Sequence, residues 1–290
     1  MIAALCSLGI LTAGILAAVG LPCSSTNVQP EPKAAPNASE QEKRPHIRAT
    51  LLNQHHTVTP NSTAWIGLEL DIDKDWHTYW PGRNETGTPP AVKWNLPAGY
   101  KVGEFLWPAP KRYVQGGDTL DHVYEGRVLL MAPLEVPASA KPGEKVQIKA
   151  ACTFVVCQDV CLMEKASPTL TLIVSDGWSS STVPPHAKRF TEARERVPVP
   201  LKDAKGVSAK VENGKLLVEA KGAAKVMFYP YEDSVATPAL LKEGEVKGER
   251  LTLTLQPEDA PARIRGVVEA QGGALKQPVF VDVDLEVPRS

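Results

Sequence analysis

Short runs of alternating apolar and polar residues, each closed by proline or glycine, constrain this chain more than any other feature. Ala64-Trp-Ile-Gly-Leu-Glu-Leu-Asp-Ile72 alternates with period two, as a half-buried strand should. Gln147-Ile-Lys-Ala-Ala-Cys-Thr-Phe-Val-Val156 and Thr169-Leu-Thr-Leu-Ile-Val174 repeat the pattern, and Val128–Val136 and a Lys141-Pro-Gly143 turn lie between the first and second of these runs. Twenty-six prolines punctuate the 290 residues, and only two short stretches look helical. The expected class is all-β, with strands at the spacing of a sandwich.

The chain is long enough for one large domain or two ordinary ones. From Ile2 to Leu21 it carries no charge, and it then breaks at Pro22-Cys23-Ser24-Ser25. Residues 1–23 therefore read as an export signal or a membrane or lipid anchor. The missing positive n-region implies a true start upstream of Met1. Cys23 is the candidate for lipid attachment, although the Leu of the usual cleavage site stands one position late. Each option puts the rest in the periplasm or another extracytoplasmic space, where disulfides persist. Residues 24–45 have almost no large apolar side chain and read as a flexible tether. The expected organisation continues with a folded domain at 46–174, a linker with a short helix (His186–Arg196) at 175–204, and a second β-rich domain at 205–290. That last segment has no cysteine and no histidine. The formal net charge of −1 gives no support to a nucleic-acid role.

Three of the five cysteines fall within ten residues, in Cys152-Thr-Phe-Val-Val-Cys157-Gln-Asp-Val-Cys161. Cys157 and Cys161 follow an apolar strand-like run and form a local pair. Strand parity puts Cys152 on the opposite face from Cys157, as a buried small hydrophobe. Three readings of the pair are open: redox exchange, an inert structural staple, and metal binding. Thiolates select Cu(I), so copper handling with Cys152 or His122 as a third ligand is the runner-up function. A non-catalytic scaffold is the third. No Met-rich or His-rich tract supports copper, and a structural zinc site needs four ligands where the cluster has three. No Gly-x-Ser-x-Gly elbow supports a hydrolase. Asp159 and Glu164 are acidic neighbours and Lys165 is the nearest cation, so little nearby lowers a thiol pKa. A pair activated by its partner or by loop opening is expected. His122 reads as solvated, His77 as a packed strand residue, Trp76, Trp80, Trp94 and Trp107 as core or rim aromatics, and His55-His56 as exposed strand polarity.

Five segments then carry a resemblance: Asp75-Trp-His-Thr-Tyr-Trp80, Val92-Lys-Trp-Asn-Leu-Pro-Ala-Gly-Tyr100, Phe105-Leu-Trp-Pro-Ala-Pro110, Tyr124-Glu-Gly-Arg-Val-Leu-Leu130 and Val156-Cys-Gln-Asp-Val-Cys161. In this order they resemble the periplasmic N-terminal region of the DsbD-like thiol:disulfide interchange proteins, including the ScsB branch. The resemblance spans about Leu51 to Val174 and extends more weakly over the second segment. It implies an immunoglobulin-like β-sandwich followed by a second, smaller β-sandwich, with no cofactor. It also implies that Cys157 and Cys161 are the redox pair, capped by a loop from Tyr113 to Tyr124, with His122 in that loop and His77 and Tyr79 on a neighbouring strand. The implied partners are a thioredoxin-like or DsbD-type membrane redox protein and periplasmic disulfide proteins. Two departures stand out. Leu162-Met163 replaces the proline common after the second cysteine. These residues also hold neither a transmembrane bundle nor a thioredoxin-like domain, so the expectation is either a separate protein as electron donor or a lost electron-transfer role.

Overall fold

A computed structural model of the chain describes residues 44–177, 186–256 and 262–288. The readings placed on residues 1–43, Cys23 among them, lie outside the described residues. The first twelve strands are β1 (Ile47–Asn53), β2 (Thr57–Val58), β3 (Ser62–Ile72), β4 (His77–Tyr79), β5 (Ala91–Asn95), β6 (Lys101–Val102), β7 (Lys111–Gln115), β8 (Thr119–Glu125), β9 (Arg127–Val136), β10 (Lys145–Cys157), β11 (Cys161–Ala166) and β12 (Thr169–Val174). They form two sheets, one ordered β1-β3-β9-β6 and the other β2-β12-β10-β4-β8-β7. The period-two residues meet between them. Ile66, Leu68 and Leu70 of β3 pack with Leu130, Ala132 and Leu134 of β9 and with Ile148, Phe154 and Val156 of β10. Burying such side chains supplies most of the driving force for the fold.

The outer face of the first sheet is also covered. Helix α1 (Ala187–Arg194) sets Phe190 and Ala193 against Leu52, Leu129 and Met131. A Cβ at position 67 would lie 2.5 Å from Leu129 Cδ1 and 3.2 Å from Phe190 Cζ, so glycine lets the helix approach. Arg189 Nη1 donates to both oxygens of the largely buried Glu69, at 2.7 and 2.8 Å.

The remaining strands are β13 (Val199–Pro200), β14 (Val207–Glu212), β15 (Lys215–Ala220), β16 (Lys225–Pro230), β17 (Glu245–Lys247), β18 (Arg250–Thr254), β19 (Ala262–Gln271) and β20 (Val279–Val287), with a one-turn helix α2 (Leu240–Glu243) before β17. They give a five-stranded sheet, β13-β20-β19-β16-β17, facing a three-stranded one, β14-β15-β18. The central strands β16 and β19 of the five-stranded sheet are buried on both faces. Val226 and Phe228 of β16 point into the core of this second sandwich, whereas Met227 and Tyr229 join the core of the first. Such a strand loses its apolar–polar alternation, as Val226-Met-Phe-Tyr229 does. The described residues fall in one compact unit, Arg44–Ser290.

The fold is all-β. His55 and His56 lie in a bend between β1 and β2 rather than in a strand. Trp80 is fully buried, and Trp76, Trp94 and Trp107 are partly buried against the main core. Among the described residues no helix is long and apolar enough to cross a membrane.

Candidate functional site

The site is built on the far end of β10. This thirteen-residue strand uses each edge twice. On one edge it pairs with β12 over Lys145–Lys149 and then with β11 over Cys152–Cys157; on the other it pairs with β5 and, at its last residue, with β4. Cys157 therefore has Cys161 beside it on one edge and His77 on the other. Gln158-Asp-Val160 makes the turn, and the backbone ladder places the two cysteine Cα atoms 4.1 Å apart. They are joined as a disulfide. Their surroundings differ: Cys157 is 2% exposed, whereas Cys161 is open to solvent.

Cys152 is free, buried in the main core, and its thiol is pushed up to about 11 by burial. Cys157 instead belongs to a separate small cluster with Tyr79 and Val123, against which Tyr113 and Val155 pack. The two faces of β10 thus separate the two cysteines, in the way its period requires.

Polar groups line the buried side of the pair. Tyr79 Oη donates to Cys157 Sγ at 3.0 Å and lies 3.8 Å from Cys161 Sγ. It is also 2.8 Å from Thr86 Oγ1, which itself donates to Asp121 Oδ2 at 2.6 Å. The Thr86 hydroxyl has one proton, and the carboxylate takes it, so Thr86 accepts from Tyr79. One phenol proton therefore faces two acceptors, Thr86 and the sulfur. Asp121 Oδ1 is held by the backbone N–H groups of Glu85 and Thr86. A Cβ on Gly87 would lie 2.1 Å from the Tyr79 ring, so glycine allows this loop to rest on the phenol. Burial raises the Tyr79 pKa, opposed by its bond with Thr86. Burial lowers that of His77, opposed by Asp121 and Glu125. The His77 ring lies 4.5 Å from that of Tyr113 and edge-on to Tyr79 at 5.4 Å.

The structure therefore gathers Cys157, Cys161, His77, Tyr79 and Tyr113. It does not bring His122 or Tyr124 to them. The expected loop from Tyr113 to Tyr124 is the β7–β8 hairpin, and its residues alternate between faces. Tyr113, Asp121 and Val123 share the site side, whereas His122 and Tyr124 take the other. His122 is 1% exposed rather than solvated, and Nδ1–H donates to Arg83 O at 2.8 Å. Desolvation pushes it down to about 4. Tyr124 Oη donates to Pro108 O at 2.6 Å inside the main core. Asp121, Thr86 and Val123 escaped the sequence reading. Strand parity within Thr119–Glu125 was the available signal, since it puts 121 and 123 on the face opposite 122.

Two other features frame the site. A cleft of about 360 Å³ beneath α1, lined by Glu69, Arg127 and Arg189 among others, shares only Val123 with the Cys157 cluster. Among the described residues no three His, Cys, Asp or Glu side chains are grouped to hold a metal ion.

Residues 48–172 match the family model described as thiol:disulfide interchange protein DsbD, N-terminal. No curated protein matches the chain. Among solved structures, the N-terminal periplasmic domain of ScsB from Proteus mirabilis superposes with a TM-score of 0.53 at 16% identity, over 84% of this chain and 94% of that one. The major pilin subunit of Bacillus cereus matches with a TM-score of 0.26 at 10% identity, covering 82% of this chain and 66% of that one. The E. coli chaperone DraB gives 0.23 at 12% identity, covering 82% and 99%.

Proposed function

Because residues 48–172 form a DsbD-like N-terminal domain, we propose that this chain is an exported thiol–disulfide exchange module whose Cys157–Cys161 pair cycles between disulfide and dithiol. The observation that carries the reading is the asymmetry of the pair: an open sulfur on Cys161 and a buried, hydrogen-bonded one on Cys157. A thiolate of a thioredoxin-like or DsbD-type partner attacks Cys161 Sγ. The Cys157–Cys161 bond breaks, and Cys157 leaves as a thiolate that accepts a hydrogen bond from Tyr79 Oη. The partner's second thiol then attacks its own sulfur in the mixed disulfide and releases Cys161. Two electrons reach the pair, two protons are taken up overall, and the partner becomes a disulfide. The dithiol form passes the electrons on to a periplasmic disulfide by the reverse sequence.

The site adds what an exchanging pair needs beyond proximity. A hydrogen bond to the departing thiolate lowers its pKa and makes it a better leaving group. Tyr79, which donates to Cys157 Sγ, is the group that supplies it.

Redox titration of the purified chain, with mass mapping of every cysteine, tests the reading. The expected result is two-electron cycling confined to Cys157 and Cys161, with a reduction potential above about −300 mV. A potential below that value marks a structural disulfide and overturns the proposal.

A further inference from the structure

The β7–β8 hairpin has two working faces. Tyr113 packs on the Cys157 cluster with its ring tilted against that of His77, while Arg112 and Leu120 point the other way, into the second sandwich. Leu120 is 4% exposed and is part of the hydrophobic core built by β15, β16, β18, β19 and β20. The Arg112 side chain is 10% exposed. Its Nη2 donates to the Leu241 carbonyl of α2, and its Nε lies 3.7 Å from Glu245 Oε2 of β17. The neighbouring loop is tied in the same direction. Arg83 N–H donates to Pro230 O at 3.0 Å, its Nη2 donates to Ser234 O at 2.7 Å, and Trp80 stacks on Tyr231 with centroids 5.0 Å apart. Both walls of the cysteine site are therefore fastened to the second sandwich.

We propose that the second sandwich is a positioning element for the cysteine site: through Arg112 and Leu120 it holds the β7–β8 hairpin against Cys157 and sets how readily that sulfur is reached. β8 is paired with β4 over its last three residues, Val123–Glu125, so the outer part of the hairpin is a two-stranded ribbon, which is marginal by itself. β7 is the end strand of its sheet, paired only with β8. Its inward residue Tyr113 is only half-buried, so contacts on the far side of the hairpin must supply much of its closure. Local opening of such an element costs less than unfolding the domain, and the cost is set by the contacts that opening breaks. The proposal takes from the preceding section only that Cys157 is the shielded sulfur.

The test is site-resolved alkylation of the full chain. The protein is reduced with a small dithiol, freed of it under anaerobic conditions, and treated with iodoacetamide, and the rates at Cys157, Cys161 and Cys152 are read by mass spectrometry. Arg112→Ala and Leu120→Ala should each raise the Cys157 rate by about tenfold or more, as expected when an opening equilibrium loses a buried charged hydrogen bond or an apolar anchor. Glu245→Lys, made from the second sandwich, should act in the same direction. Arg112→Lys keeps the charge and a donor, and should stay near the parent rate. Cys152 lies in the main core and reports global loosening, so its rate should not change. An unchanged Cys157 rate in Arg112→Ala and Leu120→Ala, or a Cys152 rate that rises alongside it, overturns the proposal. The readout needs no exchange partner, so it stands or fails separately from the reduction potential.

Discussion

Tyr79 carries more of the site's chemistry than its place in a three-residue strand suggests. Its single proton faces Thr86 and Cys157 together, with Asp121 behind Thr86. A disulfide sulfur is a weak acceptor, so in the oxidised pair Thr86 holds the better claim on that proton. Once Cys157 becomes a thiolate, the charged sulfur outcompetes a neutral hydroxyl. Hydrogen bonds to charged groups contribute about 1.5–3 kcal/mol, and one pKa unit corresponds to about 1.4 kcal/mol. Tyr79→Phe should therefore raise the Cys157 thiol pKa by roughly one to two units. Thiolate absorbance against pH in a chain carrying Cys161→Ser and Cys152→Ala measures this. An unchanged titration curve would show that the phenol does not stabilise the thiolate. Thr86→Val should leave the phenol a single acceptor and move the curve the other way.

At the scale of elements, the β10–β11 hairpin presents the open sulfur among apolar side chains. Val160 in its turn is 62% exposed and Met163, two residues beyond Cys161 on the same strand face, is 72% exposed. A protein that brings a thiolate to Cys161 must cover both. Val160→Asp with Met163→Glu should slow exchange with a thioredoxin-like protein by about tenfold, the usual effect of losing an apolar anchor at a contact. Reduction by a small dithiol, which covers neither, should change by less than about twofold. Equal slowing of both reactions would remove these residues from the docking surface. Of this hairpin β10 alone was legible in the sequence, because it alternates cleanly as β12 does, one face in the core and one outside. The β7–β8 hairpin was not. Thr119-Leu-Asp-His-Val-Tyr-Glu125 is buried along nearly its whole length, with the cysteine site on one side and the second sandwich on the other. A strand covered on both faces shows no apolar–polar alternation, and Gly116-Gly117-Asp118 inside the segment reads as loop. The same cause hid Asp121: a carboxylate is expected at the surface, and here backbone N–H groups and a threonine hydroxyl satisfy it indoors.

Over the whole molecule, the contact between the sandwiches is where acid should act. His122 lies there with its ring edge-on to Tyr229 at 5.6 Å and to Trp80 at 6.2 Å. Its Nδ1–H is taken by Arg83 O, and Nε2 has no partner among the described residues, which fits the neutral ring. Its pKa falls from 6.5 to about 4 because burial disfavours the cation, and Arg112 adds to this while Asp121 opposes it. The unfolded chain then binds the proton first. The stabilising contribution is complete above pH about 6.5 and is lost as pH falls toward about 4, on the order of 3 kcal/mol in all. Glu269, hydrogen-bonded to Tyr229 at the same contact, has its pKa raised by burial and works in the opposite sense in acid. The difference between the parent and His122→Gln therefore isolates the histidine. In urea unfolding, that difference should shrink steadily between pH 6.5 and 4, and a constant difference would exclude the histidine as its source.

The three-residue turn between the cysteines has one more consequence. A cross-link stabilises a fold mainly by restricting the unfolded chain, and the restriction grows with the loop it closes. Cys157 and Cys161 are four positions apart, so the entropy removed corresponds to only about 2 kcal/mol, against nearly 5 for a loop of a hundred residues. The ladder from Cys152↔Ala166 to Cys157↔Cys161 aligns the same two strands without any help from sulfur. Opening the bond therefore frees a local turn and leaves the cooperative unit standing, so reducing the pair removes little of the fold's stability.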